Sequence, residues 1–169
     1  IIMKLPKPRK IIAEKYVAGL SLFRSRKSPI KLSANESALG PSPRAVKSYG
    51  SIGKGFVRYP DSDGTYFRKV LAKQFKIKRD RIILGSGSDQ IFELVCKLFL
   101  NKGDEVIVPE FSFIIYRIYS RMFGAKVKYA KEENFQASVE EILNCVTRKT
   151  KIVFIANPNN PTGTYLGKN

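Results

Sequence analysis

From residue 81 to residue 156, short β-forming runs alternate with stretches of helical period, and no other feature of the sequence restricts the fold so strongly. The runs lie at 81–84, 105–108, 126–129 and 151–156, and the helical stretches between them at 89–100, 112–123 and 138–146. Antiparallel neighbours can be joined by a tight turn, whereas a parallel return needs about a dozen residues or more, usually a helix. Repeated strand–helix–strand order therefore predicts an α/β sheet of mostly parallel strands with helices on its faces.

The upstream third reads differently. Residues 1–37 mix Pro, Lys, Ser and short apolar pieces, with only 30–33 resembling a strand, so an extended arm is expected. Gly40-Pro41-Ser42-Pro43 ends it: Ser42 is a candidate N-cap and Pro43 suits the first helical position, giving a short helix through about residue 49. Pro60 biases Tyr59 toward an extended backbone. Over 64–74, Tyr66, Phe67, Val70 and Leu71, with Phe75 beyond, form an apolar helix face opposite Arg68, Lys69 and Lys73.

Composition removes whole classes of chemistry. The 169 residues hold 31 Lys plus Arg against 14 Asp plus Glu, a formal charge of +17, and no histidine. Without imidazole, Ser-His-Asp and Cys-His pairs and the usual catalytic zinc sites are excluded, so acid–base work falls to Lys, Tyr, Asp or Glu and no metal is expected. With 43% apolar residues the chain can build a core, which excludes a disordered class. Cys96 and Cys145 fit neither a zinc knuckle nor a disulfide scaffold and are expected as buried thiols in the cytoplasm. The best apolar run, 91–100, is broken by Glu93 and Lys97 and falls short of the roughly 18 residues of a membrane span, so no membrane association is expected. Basic residues are spread, as at Lys69, Lys73, Lys76, Lys78, Arg79 and Arg81, which suits a solvated surface better than a specific nucleic-acid site. A basic module for nucleic acid or acidic partners is the alternative. The chain opens Ile1-Ile2-Met3, so either it does not begin at a natural start or Met3 is that start, and it stops at Asn169 where the sheet looks unfinished.

Two loops follow predicted strands, where open α/β sheets place ligands. Gly85-Ser86-Gly87-Ser88-Asp89 offers glycines for close backbone approach, a hydroxyl and the first amides of a helix, which suits a phosphate. It is neither a dinucleotide fingerprint, since Gln90 stands where glycine would be needed, nor a P-loop, and a plain glycine turn with a helix cap reads as well. Asn157-Pro158-Asn159-Asn160-Pro161-Thr162-Gly163 is more particular. Its prolines hold the backbone and leave an amide side chain pointing into the crevice at the carboxyl end of a strand.

The strings NPNNPTGTY at 157–165, LGSGSDQI at 84–91, RYPDSDGTYFRKVLA at 58–72 and KLSANESALGPSPRAV at 31–46 occur in one order. Together, over about residues 8–166, they resemble the amino-terminal part of the histidinol-phosphate aminotransferase family, fold-type-I enzymes that use pyridoxal 5'-phosphate. The resemblance implies a three-layer α/β/α large domain, incomplete here, over 60–169, with an arm and part of a small domain over 1–59. It implies ping-pong transfer of an amino group between glutamate and imidazole acetol phosphate in histidine biosynthesis, by a homodimer. Ser88 and Asp89, with Gly87, match the positions at the cofactor phosphate, Asp89 acting more as a helix cap than through its carboxylate. Phe113 matches the aromatic stacked on the pyridine ring, where many relatives carry Tyr; the alternative for it is a core aromatic of the helix from Ser112. Asn160 matches the asparagine bonded to the ring hydroxyl oxygen. Tyr59 matches the tyrosine that reaches the partner subunit's cofactor phosphate, and Tyr16 and Asn35 match arm positions near the substrate.

The resemblance also implies what is absent. The Schiff-base lysine, the aspartate paired with the pyridine nitrogen and the substrate-gripping arginines are expected beyond Asn169, so no residue here is assigned a catalytic role and the chain alone is expected to be inactive. Related enzymes of the same fold that transaminate aromatic substrates or decarboxylate threonine phosphate remain alternatives.

Overall fold

A computed structural model describes residues 11, 14–17, 32 and 34–167. The strand expected at 30–33 lies outside the described residues apart from Leu32. Packing divides the chain into two compact units, Val17–Leu84 and a second made of 85–169 with the N-terminal residues through Tyr16.

In the first unit, α1 spans Pro43–Ser51, a 3-10 turn spans Gly53–Val57, α2 spans Thr65–Phe75 and a second 3-10 turn spans Arg79–Arg81. Helix α1 starts as expected, with Ser42 at the N-cap and Pro43 inside, although the Ser42 hydroxyl makes no cap hydrogen bond. The start of α2 is held by Asp61, whose carboxylate accepts the Thr65 N–H at 2.6 Å and the Asp63 N–H at 3.1 Å. Those backbone donors keep the Asp61 carboxyl below its ordinary pKa. Gly64, at φ 56, is required twice over: the conformation is left-handed, and a Cβ there would collide with Leu84 Cδ1.

The strand expected at 81–84 does not form. Ile82 is extended, at φ −111 and ψ 123, but 82–85 have no ladder partner among the described residues, and Ile83 is 74% exposed. A β-forming composition cannot make a strand without a neighbouring backbone to bond.

The second unit is built around β1, Glu105–Pro109. It pairs in parallel with β2, Lys126–Ala130, on one side and with β5, Thr150–Val153, on the other. Side chains alternate between the faces of β1. Val106 and Val108 join Cys96 of helix α3 (Gly87–Phe99), Leu100 just after it, Tyr116 of helix α4 (Ile114–Met122), Ala125 and Phe154 in the larger core cluster. Ile107 points the other way, into a cluster with Ala130 and Ile142 of helix α5 (Val139–Asn144). Helices α3, Gly87–Phe99, and α4, Ile114–Met122, thus cover one face and α5, Val139–Asn144, the other, which is the three-layer α/β/α arrangement.

The lateral moves are consistent in hand. The chain steps from β1 to β2 over the α4 face and returns past β1 to β5 over the α5 face, so reversing both direction and face preserves the crossover sense. Between β2 and α5 lies a small hairpin absent from the sequence reading, β3 (Glu132–Glu133) and β4 (Gln136–Ala137). Its two central residues, Asn134 at φ 50 and Phe135 at φ 61, are both left-handed. For Phe135 that conformation costs about 1–2 kcal/mol, which surrounding contacts must offset.

Other boundaries shift by a turn. Helix α3 begins two residues early at Gly87, α4 two late at Ile114, and β5 stops at Val153, although the Phe154 N–H still donates to the Ile107 carbonyl at 3.0 Å. Ser138 caps α5 by accepting the Glu141 N–H, a serine–glutamate spacing typical of helix starts. Cys96 is fully buried, which raises its thiol pKa, but Cys145 is only half-buried because it follows the short α5 at the rim of its layer.

Ile107→Ala should lower unfolding free energy by about 2–5 kcal/mol, since it removes buried methyl groups between two packed layers. Leu39→Ala, at a residue 97% exposed, should change it little. Urea denaturation of both variants checks the difference, and equal midpoints would contradict the burial pattern.

Candidate active site

Parallel pairing of β1 with β5 brings their carboxyl ends to one edge, so the loops after them, from residue 110 and from residue 154, leave the sheet together. The Asn159 side chain ties these loops directly, its Nδ2 donating to the Phe111 carbonyl at 3.3 Å. Helix α3 presents its N-terminus at the same edge. Phe92, in its second turn, packs edge-on against Phe154 near the end of β5, with ring centroids 5.9 Å apart.

The 85–89 loop is organised around backbone donors. Ser86 is the N-cap, its N–H donating to Gln90 Oε1 at 2.6 Å, and the Gly87 N–H donates to the Gly85 carbonyl at 2.9 Å. The amides of Ser88 and Asp89 come next in the first turn, where an α-helix offers no internal acceptor and the dipole favours an anion. Gly87 has φ 77 and open space where a Cβ would stand, so backbone alone lines this side of the turn. Gly85 is closed by packing instead, since a Cβ would meet Ile91 Cδ1 at 2.8 Å. The capping role expected of Asp89 is not seen. The cap falls at Ser86 because the helix starts earlier, and Asp89 stands as the acidic residue of the first turn.

Phe113 is not within the helix but is the N-cap residue of α4, half-buried, with its ring edge-on to Tyr116 at 5.9 Å on the rim of the larger core cluster. Asn160 is half-buried in the turn after β5, and its neighbour Asn159 is the buried one, at 7% exposure. Asn159 also donates to Thr162 Oγ1 at 2.9 Å, while its Oδ1 is buried without a hydrogen-bond partner. The bonds Asn157–Pro158 and Asn160–Pro161 are both cis. The structure thus brings residues 87–89, Phe113 and Asn160 to one edge. Tyr59, fully exposed, and Asn35, exposed, belong to the Val17–Leu84 unit.

Tyr16, 53% exposed, lies two residues from a contact that the sequence reading missed. Glu14 is gripped by two arginines one turn apart on α4, Arg117 Nε at 2.6 Å and Arg121 Nη1 at 2.5 Å. Arg121 also donates to the Tyr129 hydroxyl at 2.9 Å. The i, i+4 spacing of Arg117 and Arg121 is visible in the sequence, but the carboxylate they hold comes from about a hundred residues away. Among the described residues no group of three or more Cys, Asp or Glu side chains is placed to hold a metal ion.

Comparison with known proteins decides the family. Residues 27–169 match the model of aminotransferase class I and II. The chain belongs to that family. It is 52% identical over 164 residues to histidinol-phosphate aminotransferase of Pelagibacter ubique, covering 97% of this chain and 46% of that protein. It is 38% identical over 162 residues to histidinol-phosphate aminotransferase 1 of Caulobacter vibrioides, with 96% and 45% covered. The chain therefore spans less than half the length of these relatives. Among solved structures, histidinol-phosphate aminotransferase from Sinorhizobium meliloti in complex with pyridoxal-5'-phosphate superposes with a TM-score of 0.75 at 22% identity, over 79% of this chain and 36% of that one. Aromatic aminotransferase from Pyrococcus horikoshii gives 0.67 at 27% identity, over 75% and 37%. The fold is that of the fold-type-I aminotransferases, seen here as part of the α/β domain.

The arginine pair fixes the sign of one pH effect. Its hydrogen bonds to Glu14, Arg121 first, hold the carboxyl below its ordinary pKa despite some opposing desolvation. A lowered folded pKa means that the clasp stabilises above the ordinary carboxylate range and is lost as pH falls through the lowered value. Carboxyl 13C NMR should find Glu14 titrating low, and Arg121→Ala should move it upward. A Glu14 titration at the ordinary value, indifferent to Arg121, would remove the clasp from solution.

Proposed function

We propose that this chain is the phosphate- and ring-binding part of a histidinol-phosphate aminotransferase, exchanging an amino group between glutamate and imidazole acetol phosphate. The observation that carries the reading is 52% identity over 97% of the chain to an enzyme of that name. The residues present suit pyridoxal phosphate: two first-turn amides, Ser88 and Asp89, beside an open glycine, and a turn after β5 that carries Asn160. When bound, the cofactor supplies an electron-withdrawing ring on which an amino group is exchanged.

The protein's own tasks follow from its side chains. The α3 N-terminus, with Gly87 and the Ser88 hydroxyl, binds the phosphate through backbone dipoles rather than a lysine. Phe113 supplies an apolar ring surface without a phenolic hydrogen bond. Asn160 orients the ring through its oxygen substituent. Tyr16 and Asn35 read the substrate, the first held near α4 by the Glu14 clasp. Tyr59, which buries nothing in this chain, serves the partner subunit's cofactor phosphate in a homodimer. In the whole protein, 1–59 forms the arm with part of a small domain and 60–169 belongs to the large domain. We assign no catalytic lysine among these residues. No helix among the described residues is long and apolar enough to cross a membrane. The likeness to histidinol-phosphate aminotransferases supports the cytoplasm as the place of the whole enzyme.

The test uses the protein completed to its relatives' length. With glutamate and imidazole acetol phosphate it should turn over faster than with an aromatic 2-oxo acid, and it should not decarboxylate threonine phosphate. Preference for either of the latter would replace the substrate; sequence-selective nucleic-acid binding without transamination would replace the class. In the same protein Tyr59→Phe should weaken cofactor retention by at least about 0.5–1.5 kcal/mol, the worth of one neutral hydrogen bond, and by more through the phosphate's charge. Unchanged retention in a monomeric protein would reject the shared site.

A further inference from the structure

The loop that leads to Phe113, the turn that carries Asn160 and the β3–β4 hairpin are joined in a closed circuit. Phe111 donates its N–H to Glu132 Oε1 at 3.2 Å and packs its ring against that of Phe135 with centroids 5.2 Å apart. The Phe135 carbonyl accepts the Thr164 hydroxyl at 2.7 Å, and the hydroxyls of Thr164 and Thr162 lie 2.8 Å apart. Thr162 Oγ1 accepts from Asn159 Nδ2, which also donates to the Phe111 carbonyl and so closes the ring of contacts.

The protons have only one consistent order. Thr164 has one hydroxyl proton, and it goes to the Phe135 carbonyl, so between the two threonines Thr162 must be the donor. Donation runs Asn159 to Thr162 to Thr164 to Phe135 in a single direction, an arrangement in which each bond polarises the next. The relay ends on a residue held in the left-handed region, where a phenylalanine persists only if its surroundings fix it.

Two members of the circuit lie beside the candidate ring contacts: Phe111 is two residues from Phe113, and Asn159 adjoins Asn160. We infer that the β3–β4 hairpin, acting through Thr164, Thr162 and Asn159, sets the placement of Phe113 relative to Asn160, which makes Thr164 and Asn159 positioning residues for the cofactor ring. The inference rests on the proposed function, because it needs a ring between those two side chains. In this reading both act through Phe113 and Asn160. Their effect is on the angle and spacing at which stacking and the ring-oxygen contact are offered together.

Thr164→Val keeps the shape of the side chain and removes both hydrogen bonds of its hydroxyl, whereas Thr164→Ser restores them. In the protein completed to its relatives' length, cofactor affinity is measured by fluorescence titration with pyridoxal phosphate. The visible circular dichroism per bound cofactor reports ring orientation, and the melting temperature of the cofactor-free protein reports folding alone. Thr164→Val should weaken binding about three- to tenfold and change the dichroic amplitude per bound cofactor, and Thr164→Ser should recover both. Wild-type affinity and dichroism in Thr164→Val would overturn the inference, whatever its melting temperature. If Thr164→Val does not fold, Thr162→Val breaks the relay one step earlier, at both the Asn159 and the Thr164 bonds, and must give the same two changes, their absence again overturning it. A wild-type protein that binds no pyridoxal phosphate would instead overturn the functional reading, and this inference with it.

Discussion

Everything that positions the candidate site depends on β1 being paired on both edges and covered on both faces. Val106, Ile107 and Val108 are all but fully buried, and they serve two different layers because successive side chains of a strand point opposite ways. At roughly 25 cal/mol per Å2 of apolar surface, a fully buried Val or Ile contributes on the order of 1.5–3 kcal/mol, so this one strand carries a large share of the unit's net stability. Parallel pairing then has a geometric consequence: β1 and β5 end at the same edge, and their loops cannot avoid each other. The ligand edge follows from the ladder and is not separately specified.

That logic explains which parts of the fold were legible in the sequence. Helix α1 and strands β1 and β2 could be read because their signals are local: a proline at the first helical position, a run of Val and Ile, a strand-length interval. The run at 81–84 carries the same composition as a strand and makes none, because pairing is a property of two segments and only one was in view. The β3–β4 hairpin was invisible for the opposite reason. Its turn is Asn134-Phe135, whereas asparagine or aspartate followed by glycine is the signal that marks such turns, and Phe135 is held by the Phe111 ring and the Thr164 hydroxyl rather than by its own preference.

The site divides along the same line. Gly87, Ser88 and Asp89 could be picked out because a glycine loop before a helix places donors by local geometry alone, though the start of the helix was read two residues late. In the turn after β5, motif matching picked Asn160, while the buried asparagine that holds the turn to the rest of the protein is Asn159. The Glu14 clasp could not be seen at all. It joins an arm without periodicity to two arginines whose spacing is ordinary for a solvated helix face.

Strand β5 raises a mechanical question, since Asn160 follows it and it is held less firmly than β1. Ile152, Phe154 and Ala156 pack into the larger core cluster, but Val153 and Ile155, pointing the other way, are 38% and 47% exposed. Stiffness in the following turn must therefore come largely from the turn itself. Asn157 supplies part of it. Its side-chain amide pairs with Leu166 in both directions, Nδ2 to the carbonyl at 3.0 Å and the Leu166 N–H to Oδ1 at 2.9 Å, as a neighbouring strand residue would. Within that clamp, the Asn159 N–H donates to the Thr164 carbonyl at 2.7 Å and the Gly163 N–H to the Asn159 carbonyl at 2.8 Å. Asn160 thus sits at the head of a loop closed by its own hydrogen bonds, and the orientation of its amide depends less on the strand below than on Asn157, Asn159 and the two threonines around it.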